Sequence, residues 1–272
     1  MRKVDYILSR SVFKKVSGLK KTQKKKRRFL NRLVTIVCLG VFLFSCYQLL
    51  SIGLDYYQNQ RVLADIQDVY TPSVEVWEDS SKRRSSFEPL LELNEDIVAW
   101  ITVNDTKIDY PVLQAEDNDY YLFRNYLLEE TRAGSIFMDY RNQVDANVED
   151  KHTILYGHRM KDGTMFAALK NYLEQEFYES NQVFAYDTLY ESYEVEVFAA
   201  YVTTTDFYYI ETDFRDEEHY QEFLNEIQAR SVIEPSIDIE AGDQIITLST
   251  CDYQLDRHEG RLVVHGKLIP RS

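Results

Sequence analysis

One stretch of the chain has no polar face. Leu33–Leu54, LVTIVCLGVFLFSCYQLLSIGL, carries no formal charge over 22 residues, and Gln48 is its most polar member. At ~1.5 Å per residue it spans roughly 33 Å, about the hydrocarbon thickness of a bilayer. It exceeds the short apolar region of a cleavable leader, and Tyr56-Tyr57 follow where a cleavage site would need small residues. The pattern predicts a single retained transmembrane helix.

Beyond the span the periodicity changes. Residues 55–70 suit a juxtamembrane helix with Leu63 and Ile66 facing a partner element. Residues 71–86 break that pattern with Pro72, five serines and the run Lys82-Arg83-Arg84, and read as a linker. A compact domain is expected from about Phe87. Segments rich in β-branched and aromatic residues predict strands at 97–103, 108–112, 135–139, 153–156, 182–186, 193–205, 244–250 and 261–269. Helices are expected at 119–128, 165–176 and 216–230. In the last, Tyr220, Phe223, Leu224 and Ile227 recur at helical spacing. The coarse expectation is a mainly β fold: a closed antiparallel barrel of about eight strands with short helices on it. The domain reading is a basic segment 1–32, a transmembrane helix 33–54, a juxtamembrane helix and linker 55–86, and a catalytic domain 87–272.

Charge sets the orientation. Residues 1–32 hold 13 Lys or Arg against one acid, Asp5, a net of +12; the whole chain is −14, which leaves −26 for the rest. Basic residues beside a span stay cytoplasmic and meet anionic headgroups, so the N-terminus is expected inside and residues 55–272 outside. The same position argues against a nucleic-acid partner.

Topology then singles out a thiol. Cys38 and Cys46 lie in the span, which leaves Cys251 as the outer domain's lone cysteine. It has no intramolecular disulfide partner and is a candidate reactive group. It ends the predicted strand Gln244–Cys251, and the chain returns from Arg261 after a polar, turn-like segment. In the simplest antiparallel register Cys251 and Arg261 stand opposite, ~5 Å apart; a one-residue slip would turn the arginine away. Arg261 offers fixed charge and donors for an oxyanion but cannot serve as a base. A histidine must move the proton. His158, on a strand-end loop after Gly157, leads; His258 in the Cys251–Arg261 loop is second, and His152, His219 and His265 stay open. The chain has no HExxH, CxxC, P-loop or dinucleotide fingerprint, so neither a metal nor another cofactor is expected.

These residues resemble a known family. TLSTC at 247–251, an arginine ten residues later at 261, and TILYGHRMKDGTMF at 153–166 are similar in combination to the sortases, class B in particular, over roughly residues 88–270. The resemblance implies a cysteine transpeptidase of the Gram-positive cell surface with a sortase-type barrel. Cys251 would be the nucleophile, His158 the general acid and base, and Arg261 the oxyanion or substrate clamp. Ser249 and Thr250, beside the nucleophile, are expected to contact substrate. Tyr208, Tyr209 and Ile210 are expected to line the groove. Asp252 and Asp256 receive no role.

The implied reaction cleaves a C-terminal sorting signal of the LPXTG or NPQTN type after its threonine, through a thioester. The protein then passes to an amine of a peptidoglycan precursor or to a pilin lysine. Anchoring of haem-uptake proteins and joining of pilins both stay open, with a lean toward pilus or surface-protein attachment. The chain is expected to act as a monomer. The competing readings are a thiol protease that releases surface proteins by hydrolysis, and a non-catalytic membrane-anchored scaffold.

Overall fold

The computed structural model describes residues 2–72, 83–145, 150–252, 256 and 259–271. Helix α1 runs Arg2–Gln67, and the chain divides into two compact units, Met1–Tyr56 and Tyr57–Ser272. In the first unit the large apolar side chains from Phe29 to Leu54 are exposed on every side of the helix. A helix apolar all round fits a lipid surroundings rather than water. The stretch Phe29–Gln67 is long and apolar enough to cross a membrane.

In the second unit eight strands close a barrel: β1 (Ile97–Thr102), β2 (Asp109–Leu113), β3 (Ile136–Met138), β4 (His152–Tyr156), β5 (Val183–Thr188), β6 (Ser192–Thr203), β7 (Ile245–Cys251) and β8 (Arg261–Pro270). Their order around the barrel is β1-β2-β3-β4-β7-β8-β6-β5. All eight coincide with the segments expected from the sequence. The expected all-antiparallel pairing does not hold: β2 pairs β3 in parallel, and so does β4 with β7. Parallel neighbours need a long return path. Residues 114–135 provide it in the first case. The second return runs through β5, β6 and the helices between them.

Short helices decorate this frame. They are α2 (Glu88–Leu93), α3 (Gln175–Ser180) and α4 (Glu217–Arg230). α4 starts at Asp216, whose side chain accepts the His219 N–H at 2.8 Å. Its Tyr220, Phe223, Leu224 and Ile227 are buried against the outer face of β6, β7 and β8. The helix expected at 119–128 is instead a string of turns. Asp117 accepts the N–H of Asp119 and Tyr120, Asn125 accepts those of Leu127 and Glu129, and Leu128 has φ 64°. Asp and Asn side chains offer the backbone these local bonds in place of helical ones. The expected helix at 165–176 is split at Glu174 into a 3-10 helix, Phe166–Leu173, and the start of α3.

Residues 57–70 belong to the barrel unit. Ile66 and Tyr70 are buried with Phe87, Leu90, Ile97 and Trp100, and Leu63 packs against the main core.

Alternation along β7 divides its side chains between two environments. Ile246 and Leu248, with Leu262 and Val264 of β8, fill the main core. Ile245, Thr247, Ser249 and Cys251 alternate with them onto the outer face. α4 covers the lower end of that face, and its upper end opens into a groove.

Candidate active site

The groove encloses about 540 Å³ and is lined by His158, Cys251 and Arg261, with Ser249, Thr250, Tyr208, Tyr209 and Ile210. All eight residues singled out from the sequence therefore meet in one cleft. In the β7–β8 ladder Cys251 pairs directly with Arg261, Ser249 with Val263 and Thr247 with His265. Directly paired residues face the same side, so thiol and guanidinium share the outer face. Cys251 is half-buried. Arg261 donates to the Gly260 carbonyl at 2.9 Å.

His158 follows β4 by two residues, and β4 lies parallel to β7 with Tyr156 beside Ser249. Parallel pairing brings the C-terminal ends of both strands to one rim, which puts His158 and Cys251 in the same groove. His158 Nε2 lies 2.8 Å from the Leu122 carbonyl, and its ring sits tilted against Phe123 at 5.2 Å between centroids. A carbonyl only accepts, so Nε2 carries the proton and Nδ1 keeps the lone pair. Burial lowers the imidazole's affinity for a second proton, and the Leu122 bond offsets this in part. Gly157 is not needed for a left-handed turn. A Cβ there would lie 2.4 Å from Ile136 Cδ1 and 2.9 Å from the Phe166 ring, so the position needs the missing side chain.

Asp252 does not contact His158. It is buried and pairs with Arg159 at 2.6 Å, and its N–H reaches the Gly260 carbonyl at 2.9 Å. The residue after the histidine is thus tied to the residue after the cysteine. Asp256 is exposed and caps the Glu259 N–H at 2.8 Å. His258 lies outside the described residues, and His219 sits on α4.

His152 and His265 occupy the buried layer beneath the groove. Tyr201 OH, His265, Thr247 Oγ1, His152 and the Glu211 carbonyl follow one another at 2.8, 2.7, 2.6 and 2.6 Å. The terminal carbonyl can only accept, so His152 Nδ1 carries a proton; with both rings neutral, every proton in this string points toward Glu211. Burial pushes the His152 imidazole down to about 4, and burial together with His152 pushes His265 well down.

Tyr209 OH meets Ser249 Oγ at 2.9 Å. Thr250, by contrast, pairs with Leu262 and alternates with the core residues Ile246 and Leu248, and its hydroxyl is buried with no hydrogen-bond partner. Sequence reasoning missed Asn118, Leu122, Phe137, Tyr156, Thr205 and Phe207, which also line the cleft. Leu122 falls in the turns read as a helix, and Asn118 just before them. Phe137 and Tyr156 read as ordinary strand residues, and no spacing marks any of them.

The sortase domain family model matches residues 101–269. Sortase B of Listeria monocytogenes is 46% identical over 250 residues, 91% of this chain and 100% of that protein. Among solved structures, sortase B from B. anthracis superposes with TM-score 0.72 at 52% identity, covering 80% of this chain and 100% of the other. A Staphylococcus aureus sortase B–substrate complex has the same TM-score at 38% identity and the same coverage.

Proposed function

Given that the chain belongs to the sortase family as a class B cysteine transpeptidase, we propose that Cys251 is its nucleophile, His158 its general acid and base, and Arg261 its oxyanion donor. The observation that carries this reading is the β7–β8 register, which sets Cys251 opposite Arg261 in the groove that His158 also lines. The acyl donor is a peptide sorting signal of the NPQTN or LPXTG type, lying against Tyr208, Tyr209, Ile210, Ser249 and Thr250. Their place in the lining of the same groove as Cys251 supports this.

The Cys251 thiolate attacks the threonine carbonyl of the signal. Arg261 donates to the oxygen as negative charge develops there. His158 Nδ1, which takes the thiol's proton as the thiolate forms, passes it to the departing amine, while the Leu122 carbonyl holds Nε2–H. The thioester remains. An amine of a cell-wall precursor or of a pilin lysine then attacks, Nδ1 takes its proton, and a new amide forms. α1 anchors the enzyme in the membrane, with the basic segment 1–32 cytoplasmic and the catalytic domain 87–272 outside.

The test is mass spectrometry of the full chain in detergent micelles, incubated with NPQTN and LPXTG peptides, with and without an added amine. Wild type runs beside Cys251→Ala. A thioester adduct confined to wild type and resolved to an amide by the amine is the expected result. Hydrolysis alone, with good amines present, would refute transfer, and no adduct with any peptide would refute the signal.

A further inference from the structure

One carboxylate is joined to several parts of the groove at once. Asp139, fully buried just past β3, accepts from Asn118 Nδ2 at 3.0 Å and from Tyr156 OH at 2.8 Å. Arg141 closes on it as a fork, Nε to Oδ1 and Nη2 to Oδ2, each at 2.8 Å. The same guanidinium reaches the β6–α4 connection. Nη1 donates to Tyr208 OH at 2.9 Å and Nη2 to the Ile210 carbonyl at 3.0 Å. Asn118, Tyr156, Tyr208 and Ile210 all line the groove, and they come from three separate stretches of chain.

Packing does not fix Tyr208. Its residue is 52% exposed, against 4% for Tyr209. An exposed ring keeps its rotamer freedom unless a directed bond removes it. Arg141 supplies that bond. A planar guanidinium holds a carboxylate on one edge and other acceptors on the next, all in one fixed geometry, which an ammonium cannot do. Burial alone would raise the Asp139 carboxyl, but the bonds from Arg141, Tyr156 and Asn118 outweigh it and hold it at about 2. The pair is therefore ionised throughout the working range. Neither residue lines the groove or touches the proposed proton path.

We infer that Asp139 and Arg141 are positioning residues for the acyl-donor groove, setting how far the Tyr208–Ile210 wall stands from β3 and β4 and so which peptide signal fits. This rests on the groove being the sorting-signal site.

The test uses full-length enzyme in micelles as Arg141→Ala, Arg141→Lys and Asp139→Asn. Loss of a charge-assisted bond on the wall is expected to raise KM for the peptide about ten- to a hundredfold in Arg141→Ala, with kcat near wild type. Arg141→Lys recovers part of this, and the preference between NPQTN and LPXTG peptides shifts. Amide hydrogen exchange in residues 205–212 accelerates, while β7 and β8 keep wild-type protection. Alkylation of Cys251 by iodoacetamide keeps its wild-type rate. Unchanged exchange at 205–212 in Arg141→Ala overturns the inference. So does a fall in kcat at constant KM, which marks general structural damage. Absence of any acyl-enzyme in wild type refutes the proposed function separately, and the exchange measurement still decides whether the pair holds the wall.

Discussion

Acidification from pH 7 toward pH 4 should destabilise the barrel, because its outer layer buries two neutral histidines. The string from Tyr201 to the Glu211 carbonyl is satisfied with both rings neutral, and a proton added to either imidazole would put a charge in a fully buried layer. Burial holds the His152 imidazole at about 4, against ~6.5 in the unfolded chain. The folded value is the lower one, so the unfolded chain binds the proton first as pH falls. The stabilisation is whole above about pH 6.5 and shrinks as pH drops toward the folded value. Linkage over that window removes about 2 kcal/mol by pH 5 and about 3 kcal/mol by pH 4 from His152 alone. His265 contributes in the same direction. Among the charges that act on His152, Asp139 and Arg141 keep their ionisation over this range. At ~2–4 °C per kcal/mol for a domain of this size, the His152 part lowers Tm by roughly 4–8 °C between pH 7 and pH 5. Near-UV circular dichroism melts of the full chain in micelles measure this. They are run beside a His152→Gln/His265→Gln double variant in a His158→Asn background. The double variant should start lower at pH 7 and change little down to pH 5. A wild-type Tm that is flat from pH 7 to pH 5, or a double variant that falls as steeply, would refute the reasoning.

Arg261→Ala should lower kcat for peptide acylation by about 10²–10³, as loss of an oxyanion donor does, while Cys251 still reacts with iodoacetamide; equal loss of both would remove the oxyanion role. The acid limb of the acylation pH profile should lie below the ordinary imidazole value, because burial lowers His158; stopped-flow rates from pH 4.5 to 9 locate it, and a limb above 6.5 would contradict the assignment. Arg159→Ala leaves the buried Asp252 carboxylate without its 2.6 Å partner and should cost about 1–3 kcal/mol in urea melts. Its kcat should fall further than stability explains, and a kcat equal to wild type would show that the pair does not set the spacing of the two loops. Gly157→Ala drives a methyl into Ile136 and Phe166 and should destabilise by about 1–3 kcal/mol, with Gly157→Ser worse; melts unchanged in both would show that the site yields.

What the sequence could show followed from local rules. The eight strands were legible because their side chains alternate or run β-branched, and α4 because four apolar residues recur on one face. Cys251 opposite Arg261 was legible because a hairpin has a simplest register. The parallel pairings β2–β3 and β4–β7 were not, since no local pattern reports a neighbour that many residues separate. The turns at 119–128 were misread because aromatic and leucine residues imitate helical spacing, while Asp117 and Asn125 bond the backbone into turns. Asp139 stood at the end of an expected strand and Arg141 drew no reading, because the pair's partners Asn118, Tyr156, Tyr208 and Ile210 lie elsewhere in the chain.

The parallel seam between β4 and β7 also bears on when the enzyme becomes active. His158 follows an early strand, Cys251 ends the next-to-last and Arg261 begins the last. β8 pairs both β6 and β7, so the cylinder closes only when that strand arrives. Contacts this distant in sequence form late, after the entropy of long loops has been overcome. A chain made from its N-terminus therefore carries its thiol without an opposed guanidinium until almost the whole domain has been synthesised. Assembly order acts as a timer: a chain that lacks β8 does not bring His158, Cys251 and Arg261 together in one groove.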